Sequence, residues 1–193
     1  MDSQLYADGI RFVHILAVCA GLGTSILADI HAASRLRQRI DDEFLELLHR
    51  YHQVVVAALV VMWASGLVII GMKTGFDAAQ MTPKLVGKVI TVTLLTINAW
   101  FIAAKVMPIL KNAIGQTILD LSRRQRFGMG LIGGISTASW MLALAMGVSK
   151  FLAASPAETF VYLIPIAYAA CVLGALCVLV TPGPSGVRQY QPA

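Results

Sequence analysis

The residues of this chain best equipped for chemistry are four histidines, His14, His31, His49 and His52. His14 sits inside an apolar run, HILAVCAGLGTSILA, and His31 closes that run; His49 and His52 open the next, QVVVAALVVMWASGLVII. An ionisable ring at membrane depth costs free energy, so each needs a partner or a task. His14 and Lys88, the latter at the start of a third apolar run, fall at a similar depth on one side of the membrane. A neutral imidazole is a good axial ligand for haem iron. A desolvated lysine can lose its proton and ligate too, or it can pair with a carboxylate. The other reading is a polar pair near the interface, with Lys88 snorkelling. His49 and His52 are i and i+3, on one helical face, and His31 ends the preceding antiparallel helix on the same side. These three could converge on zinc, copper or haem, or simply meet water and headgroups. His14 and His31 are separated by roughly 25 Å of helical rise, so they cannot share one iron. Asp29, Asn98 and Lys105 complete the intramembrane polar set. Asp29 and Lys105 are expected to pair as glue between the first and third helices, with a proton path as the alternative.

The elements that position these groups follow from composition. The chain has 193 residues, 58% hydrophobic and 13% charged, against roughly 45–50% and 25% in soluble domains. That leaves too little polar surface for a water-facing globule. A crossing helix needs about 20 mainly apolar residues, and five segments qualify: 10–30, 53–72, 87–110, 127–149 and 159–181. In lipid the backbone must satisfy itself, so these are helices. The fold expected is an all-α integral membrane protein, one domain of five transmembrane helices over 1–181, with a disordered cytoplasmic tail at 182–193. The N-terminal MDSQLYADGIRF is acidic where a cleavable signal is basic, so the first span is read as retained.

Basic residues give an orientation. The side carrying Arg35, Arg37, Arg39, Arg50, Lys105, Lys111, Arg123, Arg124, Arg126 and Arg188 holds ten of fifteen. The positive-inside rule puts that side in the cytoplasm and the N-terminus outside. Topology therefore accounts for the net charge of +5 without nucleic acid. Helical spacing of Ile40, Phe44, Leu47, Leu48 and Tyr51 starts the second helix near Asp41, before it enters lipid. Pro83 suits entry to the third helix, and Pro165 is expected to kink the fifth. Gly130 and Gly134 form GxxxG, and Ala170 and Gly174 a similar pair, for close packing inside the bundle or for an oligomer seam. Cys19, Cys171 and Cys177 read as small buried hydrophobes. Trp63, Trp100 and Trp140 read as packing, with the flank of a flat ligand as the alternative.

The runs FVHILAVCAGLG, LHRY and LVGKVITVTLL, in a five-helix chain of this length, resemble the HemJ-type bacterial membrane protoporphyrinogen oxidases. They also resemble the broader copper-resistance-D-like membrane proteins. The resemblance implies a bound b-type haem with His14 and Lys88 as ligands and Arg50 as a further cofactor-binding residue. It places the chain in the bacterial inner membrane. The function expected is electron transfer or oxidation, porphyrinogen oxidation included, with a quinone or membrane-bound reductase as partner. The alternative is a non-enzymatic membrane protein, a permease handling copper or a scaffold subunit, with copper or zinc in place of haem.

Overall fold

A computed structural model describes residues 2–180; the expected tail at 182–193 lies outside them. Its order is α1 (Asp2–Ser34), α2 (Asp42–Thr74), α3 (Pro83–Phe101), a π-helical turn (Ile102–Val106), α4 (Met107–Lys111), α5 (Arg123–Val148), α6 (Lys150–Ala154) and α7 (Ala157–Val180). There is no β-strand among the described residues beyond an isolated bridge. Five helical stretches are long and apolar enough to cross a membrane: Gln4–Ser34, Asp42–Thr74, Pro83–Lys111, Arg123–Val148 and Ala157–Leu179. The third joins α3, the π turn and α4. Pro108 lacks the N–H that an α-helical ladder requires there, which accounts for the local change of pitch.

The helix ends follow local chemistry. Asp41 caps α2, its carboxylate accepting from Phe44 N–H at 2.8 Å, and Gly75 closes that helix at φ 58°, a conformation glycine adopts without strain. Thr82 caps α3, with Pro83 in its first turn. Ser122 and Gln125 form a capping box on α5. The two loops at the arginine-rich end grip each other: Ile40 N–H donates to Gln116 O, and Gly115 N–H donates to Ile40 O, both at 2.8 Å.

Packing is organised as α1 against α2 and α5 against α7, with α3 laid chiefly against α5. At the centre, Trp140 is 1% exposed among Ala17, Leu59, Met62 and Leu95. A methyl group at Gly21 would strike its ring, so α1 approaches α5 through the missing side chain. Gly134 serves α7 in the same way: a Cβ there would lie 2.5 Å from Val172 Cα, and one at Gly130 would lie 2.9 Å from the Leu176 side chain. The face expected to offer an oligomer seam is thus covered by the chain's own α7. The helix α7 runs unbroken through Pro165. Cys19 and Cys177 are exposed and Cys171 half-buried, so the cysteines do not occupy the core as expected. Trp100 is 62% exposed, facing away from the bundle.

Candidate functional site

His14 is half-buried on α1 and turns toward α2. Its Nδ1 lies 2.9 Å from Ser65 Oγ. Ser65 donates its own hydroxyl hydrogen to Val61 O at 2.6 Å. With its hydrogen on Val61 O, the serine oxygen can accept from a ring proton on Nδ1. In that tautomer Nε2 keeps its lone pair, and it has no hydrogen bond among the described residues. Gly66 gives the ring room, its absent side chain standing opposite Cε1. Lys88 is close enough to act electrostatically on His14, and Lys73 and Lys84 on Lys88. Lys84 donates to Ser149 O at 2.9 Å. No carboxylate forms an ion pair with these lysines among the described residues. This end of the bundle thus joins an imidazole oriented by Ser65 to a group of lysines with no carboxylate partner among the described residues.

The other expected groupings separate. Arg50 pairs with Glu46 on the exposed side of α2. It lies sixteen positions before Gly66 on the same helix, roughly 24 Å by helical rise, so it cannot share a ligand with His14. His31 turns inward onto its own helix, Nδ1 lying 3.0 Å from Leu27 O and 3.1 Å from the Tyr51 hydroxyl. Its ring stacks on Tyr51 at 5.6 Å. His49 is exposed and meets Gln53 at 3.1 Å. His52 alone of the three lines a cavity. No group of three or more His, Cys, Asp or Glu side chains among the described residues is placed to hold a metal ion. Histidines at i and i+3 share a face, but Tyr51 has drawn His31 away.

Asp29 does not pair with Lys105. Its Oδ2 accepts from Thr137 Oγ1 of α5 at 3.1 Å, while Lys105 is exposed beside Arg124. The glue therefore runs from the first helix to the fourth span. Asn98, 3% exposed, donates to Ile132 O at 3.0 Å and ties α3 to α5.

A void at the arginine-rich end was not anticipated from the sequence. A cavity of about 440 Å³ lies at the arginine-rich end between α1, α2, the π turn, α5 and α7. Leu36, Phe44 and Ile118 line it on the loop side; Ser25, Asp29, His52 and Ser136 line it deeper. Small residues on α1, α5 and α7 make the room, among them Ala32, Gly133 and Gly174. The available signal was the recurrence of small residues in three spans, but which helices would face one another depends on packing order.

In comparisons with protein-family models, curated proteins and solved structures, nothing matches this chain.

Proposed function

We propose that this chain is a multi-pass bacterial inner-membrane redox protein that holds a b-type haem through His14. The observation that carries the reading is the His14–Ser65 bond. A metal-binding histidine characteristically donates its second ring nitrogen to a neighbouring oxygen, which orients the ring and raises its basicity. Here Nδ1 makes that bond, and Nε2 is the ligating atom. Lys88 is the second ligand or the anchor of a propionate, and Lys73 and Lys84 extend the cationic surface suited to carboxylates. The haem supplies a one-electron couple whose potential the axial ligands set. The chain's own residues hold the ring tautomer, neutralise the carboxylates and exclude water. The same residue types in the same layout resemble the HemJ-type oxidases, so porphyrinogen oxidation is the activity to assay first. We place the N-terminus outside and the arginine-rich end in the cytoplasm, on the distribution of basic residues.

An absorbance spectrum of the purified, detergent-solubilised chain tests this. A Soret band that shifts on reduction, vanishes in His14→Ala and survives in His49→Ala and His52→Ala is the expected result. Bleaching by the latter pair moves the haem to the arginine-rich end. A colourless chain that retains copper replaces haem with metal handling.

A further inference from the structure

The cavity at the arginine-rich end lies far from His14, and three of its polar side chains, Ser25, His52 and Ser136, make no hydrogen bond among the described residues. Ser25 and Ser136 are buried at 8% and 7% exposure, yet neither hydroxyl makes a hydrogen bond among the described residues, and neither does the His52 ring. Asp29 offers a second oxygen beyond the one that accepts from Thr137. These four groups come from α1, α2 and α5 and line one otherwise apolar chamber. The two serine side chains are buried, but their hydroxyls open onto the void, so a molecule in the chamber can supply bonds that the chain does not.

The wall chemistry selects the occupant. Among the described residues no lysine or arginine lines the chamber, which disfavours carboxylates, phosphates and porphyrin side chains. An acyl chain would leave the two serines and His52 unpaired. An ammonium offers donors only, whereas the serines and His52 include donors that need acceptors. A neutral ring carrying hydroxyl or carbonyl oxygens answers both needs. The volume, about 440 Å³, falls within the range of small-molecule sites. The wall residues that stay exposed are Asp29 and Ala33 on α1 and Gly174 and Val178 on α7. They mark a sideways opening between those helices. We propose that this chamber binds the head of a lipid-soluble hydroquinone or quinone, admitted laterally from the bilayer. Its hydroxyl donates to Asp29, and its oxygens accept from His52 and the two serines. As electron partner of the chain this ligand rests on the haem reading; as an occupant of the chamber it does not.

The test uses the full chain in phosphatidylcholine nanodiscs, titrated with decylubiquinol by calorimetry. Decylbenzene and dodecylamine serve as comparators lacking the oxygens or replacing them with a cation. Gly133 lines the chamber, and a Cβ placed there meets nothing within 4 Å. Gly133→Leu therefore adds bulk at the chamber wall from a position whose Cβ has room. Saturable binding of one decylubiquinol per chain is expected, at least tenfold tighter than decylbenzene. It should be lost in Gly133→Leu and weakened about tenfold in the Ser25→Ala/Ser136→Ala pair, by the usual penalty for lost hydrogen bonds. His14→Ala should leave it unchanged even where the haem spectrum disappears, which separates failure of this site from failure of the haem reading. Equal affinity for decylbenzene, tighter binding of dodecylamine, no saturable binding, or full affinity in Gly133→Leu would each overturn the proposal.

Discussion

At the scale of single residues, Ser65 matters as much as His14. Its hydroxyl lies 2.6 Å from Val61 O, which leaves its oxygen able to accept from the imidazole. Ser65→Ala removes the acceptor while leaving the backbone of α2 intact. The ring is then free to turn, and its basicity falls. Loss of such a supporting bond typically costs about 10–100-fold in metal affinity. Haem titration of Ser65→Ala should show a loss of that order, with the Soret band retained at saturating haem; an unchanged affinity would mean the serine does not orient the ligand. Asp41 poses a separate residue-scale question. The Phe44 N–H, and then Arg35, hold its carboxyl below the ordinary carboxylate range. A depressed folded-state pKa contributes stability above the unfolded value, near pH 4, and loses it as pH falls through the folded value. The melting temperature of the wild type should therefore exceed that of Asp41→Asn at pH 7. The gap should narrow as the buffer is taken below about pH 4.

At the scale of elements, two adjacent glycines make opposite predictions. Gly134 is pressed against the α7 backbone, where a methyl group would sit 2.5 Å from Val172 Cα. Backbone cannot step aside as a flexible side chain can, so Gly134→Ala must push α5 and α7 apart. Overpacking of this kind costs about 1–3 kcal/mol. Gly133→Ala meets open space and gains helix propensity, up to about 1 kcal/mol on scales measured in water. Reversible unfolding in mixed micelles should rank Gly133→Ala at or above wild type and Gly134→Ala below it. The GxxxG pattern was plain in the sequence, as were the five spans, the cap at Asp41 and the entry at Pro83. These features are local: each depends on a few neighbouring residues. Which helix Gly134 touches is not local. Nor is the partner of Asp29, where a charge pair with Lys105 satisfied the sequence but Thr137 lay nearer. The stacking of His31 on Tyr51 was likewise invisible, because it follows from the angle at which α1 meets α2.

At the scale of the molecule, the two ends of the bundle have different chemistry. One gathers His14, Lys73, Lys84 and Lys88, with cations in excess. The other has the arginine-rich loops, the bridge between Arg39 and Thr117, and behind them a chamber whose only charged wall residue is Asp29. If the proposed orientation holds, the lysine end faces outward, against the usual bias of basic residues. Those lysines then need a reason beyond topology, and anionic ligand groups supply one. Orientation is therefore the prediction on which the rest of this picture turns. Gln38 lies in the exposed arginine-rich loop and Asp77 in the exposed turn after α2, so either position accepts a probe without disturbing packing. In a background with Cys19, Cys171 and Cys177 replaced by alanine, Asp77→Cys should react with a membrane-impermeant maleimide in intact spheroplasts. Gln38→Cys should react only after lysis. The reverse pattern would put His14 on the cytoplasmic side, where a cytoplasmic reductase could reach it directly. The lateral chamber would then open toward the outer leaflet.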